Sequence, residues 1–179
     1  MTIDKKYGFD KPEFAALREP SRAVIAAYQT ANRFMDTTQE YTLIELGMPY
    51  LAEALHRMAH EFPKRFDAFG EMLHERHLMA EYPATEELDW QEELHDVDDV
   101  FEMCIRILEN IGEALENFRT ATDNGVFRAM SLFAENLISE NSRDYTKILT
   151  AWKRWDEDGG SRTSFDAWCK HFFEEGGAI

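Results

Sequence analysis

Glu71-Met-Leu-His74 sets a carboxylate and an imidazole three residues apart. Residues at that spacing share one face of an α-helix, so both side chains reach the same point in space. Iron and manganese accept such a mixed oxygen and nitrogen donor set. Asp67, four residues before Glu71, extends the stripe. The spacing recurs at Glu53–His56 and Glu92–His95, and His60 continues the first of these. Glu-x-x-His alone is common on the wet faces of acidic helices. The stripe Glu53/His56/His60 reads equally well as the polar shoulder of an amphipathic helix. A metal site therefore depends on what the other helices bring.

Five of the six histidines lie between residues 56 and 95, so the second half of the chain has carboxylates to offer. Projecting the apolar stripe Met130, Phe133, Leu137 forward lands on Glu140 or Asn141, then Asp144, then Ile148. Polar groups thus stand where the pattern asks for apolar ones. A buried ionised carboxylate is costly unless it is paired or bound to metal. Glu45 falls near the stripe of the first long helix, and Glu109 sits beside Leu108. Four helices, each with an inward carboxylate, are what a dinuclear metal site needs. The candidate ligands are Glu45, Glu71, His74, Glu109, Glu140 and Asp144. The competing expectation puts them at the bundle's edge, or in a buried ion pair with Arg106 or Arg143.

Helices must position these groups. Residues 1–19 hold at most a short helix, near Pro12 to Arg18. A long helix follows Pro20, with Val24, Tyr28, Ala31, Met35, Thr38 and Thr42 on one face. Pro49 starts a new helix or a kink, lined by Leu51, Leu55, Met58 and Phe62. Pro63 is expected to break it, and Phe66, Phe69 and Leu73 line a further helix ending near Tyr82-Pro83. Residues 83–95 read as an acidic connection. Asp96 or Asp98 caps a strong helix whose stripe runs Val97, Phe101, Cys104, Leu108, Ile111, Leu115, Phe118. Asp123-Asn124-Gly125 is a turn signal, and a last long helix runs from about Val126 to Trp155. A flexible break at 158–161 precedes a short aromatic helix, with Thr163-x-x-Asp166 as its capping box. The expectation is an all-α, antiparallel four-helix-type bundle over residues 1–157, with extra short helices at both ends and a terminal unit at 158–179.

The 179 residues suffice for one well-filled core. The net charge of −16 disfavours nucleic acid and anionic membranes and favours cations or basic partners. No apolar run is long enough to span a membrane, and Met1-Thr-Ile-Asp-Lys-Lys lacks the apolar stretch of a signal peptide. Cys104 and Cys169 suit free thiols in a reducing, cytoplasmic setting. No Gly-rich phosphate loop or nucleophile elbow is present.

Three segments carry a family likeness: Gly70-Glu-Met-Leu-His74, Ile107-Leu-Glu-Asn-Ile111 running on to Asp123, and Ile138-Ser-Glu-Asn-Ser-Arg-Asp144. Across residues 40–155 the chain resembles the ferritin-like superfamily, ferritin and bacterioferritin in particular. The resemblance implies two Glu-x-x-His motifs and two further glutamates around two irons that react with oxygen. Glu71, His74 and Glu109 match that pattern by type, and Glu140 takes the fourth-helix place. Arg143 stands where the second histidine belongs, and the first-helix ligand falls between Glu40 and Glu45. Two functions follow as expectations. One is a carboxylate–histidine protein that binds or oxidises iron, or binds manganese. The other is a non-catalytic helical protein that joins a protein partner or copies of itself, with the terminal aromatic helix either packed at home or docked in a partner's groove.

Overall fold

A computed structural model describes residues 8–84 and 89–174. Two 3-10 turns, Gly8–Asp10 and Ala15–Leu17, lead into α1, Arg18–Ile44. Then come α2 (Pro49–Glu75), the single turn α3 (Trp90–Glu93), α4 (Val97–Thr122), α5 (Arg128–Glu157) and α6 (Arg162–Glu174). There is no strand among the described residues. Residues 85–88 of the expected connection lie outside them.

Each boundary has a local cause. Pro20 lies in the first turn of α1, where its missing N–H costs nothing. Gly47, at φ +68°, ends that helix, while Leu46 and Met48 donate back to the Tyr41 and Thr42 carbonyls. Pro49 opens α2 at its first position. Asp96 caps α4, its carboxylate accepting from the amides of Asp98 and Asp99. Asn124 Oδ1 accepts from Val126 and Phe127 and closes the turn before α5.

The expected break at Pro63 does not occur: α2 continues through it. An interior proline removes one helical hydrogen bond and costs about 3 kcal/mol. Phe62 and Phe69, both fully buried on either side of it, anchor the helix to the core and outweigh that loss. The helix then stops at Glu75 rather than near Tyr82, with His77 at positive φ just beyond.

The short links make α1–α2 and α4–α5 hairpins. The helix α1 also packs on α4, and α6 packs on α2. By contrast α2 and α5 approach one another less closely, so long side chains must span between them. Thr38 and Thr42, polar residues on the apolar stripe of α1, bond back to the Phe34 and Thr38 carbonyls and carry no unmet hydrogen bond into the core.

The closing helix belongs to the same core. Phe165 is fully buried against Phe101 and Trp155, and Cys169 is buried beside it. Asp166 does not reach back to Thr163 as a capping box requires. Its Oδ1 accepts from the amides of Tyr50 at 3.0 Å and Leu51 at 2.8 Å. It thus caps α2, a helix more than a hundred residues earlier that lacks a cap of its own. The positive end of α2 attracts the carboxylate there more strongly than Thr163 could.

Candidate functional site

In the layer between the four long helices, Arg65 is the one residue that the expected inward stripes did not include. From α1 comes Tyr28, from α2 Phe62 and Arg65, from α4 Leu108, and from α5 Asn141 and Asp144, with Cys104 of α4 further along against Met35 of α1. Phe62 and Tyr28 pack with ring centroids 6.3 Å apart. The Cys104 thiol rests 3.7 Å from the Met35 sulfur, and burial pushes it up to about 12, so it stays protonated.

Arg65 dominates this layer. Its Nε lies 3.0 Å from Glu140 Oε2, and its Nη1 lies 2.7 Å from Asp144 Oδ2. The side chains of Arg65 and Asp144 are only 12% and 16% exposed, whereas Glu140 is 38% exposed. The Arg65–Asp144 approach is oblique, a charge contact more than a directed hydrogen bond. Burial works against the guanidinium charge. The Asp144 carboxylate, with Tyr28 and Glu140 behind it, outweighs burial and holds Arg65 above its ordinary range. Burial in turn pushes the Tyr28 hydroxyl up, and its oxygen has no hydrogen-bond partner.

Asn141 completes the layer. Its Nδ2 donates 2.8 Å to the Leu108 carbonyl, tying α5 to α4. Gly112, one turn on, leaves the room: a Cβ there would stand 3.3 Å from Asn141 Nδ2. Gly112→Ala gains up to about 1 kcal/mol of helix propensity but presses on this contact. It is expected to be at least about 0.5 kcal/mol more favourable in an Asn141→Ala background than in the wild type. Urea unfolding of the four proteins of that cycle measures the coupling, and a zero value would mean Asn141 is not seated there.

The six expected ligands do not converge. Glu45 is the exposed C-terminal cap residue of α1, at one end of the bundle. Glu71 and His74 lie exposed on the last turns of α2, because the inward face there belongs to Phe69, Met72 and Leu73. Glu109 is exposed beside its buried neighbour Leu108, and its Oε1 accepts from the Tyr145 hydroxyl at 3.2 Å. Glu140 and Asp144 alone meet, and they meet at Arg65. Among the described residues no three His, Cys, Asp or Glu side chains are grouped to hold a metal ion. The expected ion-pair partners are also corrected. Arg106 pairs with Glu93 and Arg143 points to solvent, because neither faces the gap between α2 and α5.

A di-metal bundle needs inward glutamates on two helices and inward Glu-x-x-His pairs on the other two. The inward pair on α2 is Phe62-x-x-Arg65, and on α5 it is Asn141-x-x-Asp144. A guanidinium has no lone pair and does not deprotonate, so it cannot ligate a metal. These residues do not fit a pair of iron or manganese ions.

No protein-family model and no curated protein matches the chain. Solved structures do. An iron-soaked variant of PmFTN aligns at a TM-score of 0.77 with 15% identity, covering 86% of this chain and 98% of that one. A second iron-soaked crystal of that variant aligns equally well, over 97% of its length. An open-pore ferritin from the hyperthermophilic archaeon Archaeoglobus fulgidus aligns at 0.74 with 12% identity, covering 87% of this chain and 94% of that one. The fold is ferritin-like. None of the described helices is long and apolar enough to cross a membrane.

Proposed function

We propose that this chain is a ferritin-like subunit that associates with copies of itself and takes part in iron handling without a di-metal oxidation centre inside its own bundle. The observation that carries the reading is the position of Arg65. Its guanidinium lies against Asp144 and Glu140 between α2 and α5 and supplies the positive charge those carboxylates need. Iron is then cargo, drawn to a chain of net charge −16 and held by exposed carboxylates. Glu71 and His74 are one place where a carboxylate and an imidazole still share an outer face. Association is supported by the ferritin-like fold. It is also supported by large apolar side chains left at the surface: Leu43, Ile44 and Tyr50 around the α1–α2 turn, and Met79 and Tyr82 after α2.

Two measurements on tag-free protein test this reading. Light scattering is expected to give a multimer at micromolar concentration, and a monomer throughout would overturn the subunit role. After anaerobic ferrous loading, oxygen is expected to produce no rapid oxidation of two irons per chain beyond that in protein-free buffer. A fast, stoichiometric phase that is lost in Glu140→Ala/Asp144→Ala would overturn the reading of the bundle interior.

A further inference from the structure

The helix α2 carries a second feature, on its outer side and independent of Arg65. His56 and His60 lie one turn apart, and their Nε2 atoms are 3.0 Å from one another. The rings meet edge to face, with centroids 4.3 Å apart and planes at 89°. His60 is exposed and His56 half-buried. One Nε2 donates to the other, the roles being set by the two ring tautomers.

We propose that His56 and His60 form a chelating site for a borderline divalent transition-metal ion of the Zn2+ or Cu2+ kind. Imidazole nitrogens bind zinc at about 2.0–2.1 Å. Two nitrogens 3.0 Å apart therefore subtend about 95° at a metal between them, close to square-planar geometry and within a small side-chain rotation of tetrahedral. The ring that donates in the free pair moves its proton to Nδ1, and both Nε2 lone pairs then face the ion. The i, i+4 spacing on one rigid helix fixes the bite before the metal arrives, so little side-chain freedom is lost on binding. Glu53 stands on the same face, three residues before His56, and among the described residues it makes a loose 3.9 Å contact with Arg57. It is free to swing in as an oxygen donor. Water, or a donor from a second copy of the chain, fills the remaining positions. The acidic charge of the chain raises the local concentration of cations. Imidazole donors select Zn2+ and Cu2+ over Mg2+ and Ca2+.

Zn2+ titration of tag-free protein against a competing chromophoric chelator tests the site, with Cu2+ electron paramagnetic resonance as a second readout. One Zn2+ per chain is expected, with affinity falling at least tenfold in either His56→Ala or His60→Ala and unchanged in His74→Ala. The Cu2+ spectrum is expected to carry the hyperfine pattern of two imidazole nitrogens. Both variants change outer-face residues, and their thermal midpoints are expected to match the wild type. Equal Zn2+ affinity in the wild type and in His56→Ala/His60→Ala would overturn the proposal, as would a Cu2+ spectrum without two nitrogens. Neither result bears on the bundle interior, which the iron measurements test separately.

Discussion

Arg65→Ala is expected to destabilise the protein by about 3 kcal/mol, because it strands a largely buried carboxylate without its counter-charge. Asp144 accounts for most of the loss. Glu140 is exposed enough for water to screen it and contributes little. In a chain of this size that is a fall of roughly 10 °C in Tm. The reverse test separates pairing from packing. Arg65→Met/Asp144→Leu removes both charges and fills the gap between α2 and α5 with apolar volume. The double variant is expected to be at least as stable as the wild type. Calorimetry of the wild type, Arg65→Ala and the double variant decides between the readings. A single variant that loses less than about 1 kcal/mol would mean Arg65 is a surface residue in solution.

Asp166→Ala is expected to cost about 2 kcal/mol, from loss of the side-chain cap on α2 and from two amides left without that acceptor. Asp166 is 7% exposed, so water cannot readily take its place. Asp166→Asn keeps one acceptor but loses the charge at the helix's positive end, and half of that loss is expected. Ending the chain at Asp158 removes the cap together with Phe165 and Cys169, both fully buried, and is expected to cost about 5 kcal/mol or more. Chemical denaturation of the three proteins gives these values. If the truncated chain unfolds at the same denaturant concentration as the full one, α6 is not part of the core, and a docking role for its aromatic residues returns.

The helical stripes were legible because their residues face one core. Val24 to Thr42, Leu51 to Phe62 and Val97 to Phe118 follow a 3.6-residue period and lie buried almost throughout. The turn at Asn124 and the cap at Asp96 follow from side-chain chemistry within four residues. Long-range pairing was not legible. Nothing near Asp166 says that it caps a helix beginning at Pro49, and Thr163 offers a plausible local partner instead. The site was misread for a related reason. A break at Pro63 would start a new stripe at Phe66 and turn Glu71 and His74 inward. With the helix continuous, Met58, Phe62, Arg65 and Phe69 form one inward face, and Arg65 becomes the charged residue on the core stripe. On α5 the projection reached both Glu140 and Asn141. Asn141 is the one that turns inward, because its amide finds the Leu108 carbonyl.

The most direct measurement is anomalous diffraction at the iron edge, from crystals soaked anaerobically in ferrous iron and then exposed to air. The expected map has ordered Arg65 density between Asp144 and Glu140 and no iron peak inside the bundle, with any iron confined to the outer carboxylates. An iron peak within bonding distance of Asp144 and Glu140, with Arg65 swung out to solvent, would contradict a guanidinium-filled interior and restore a metal centre to this fold.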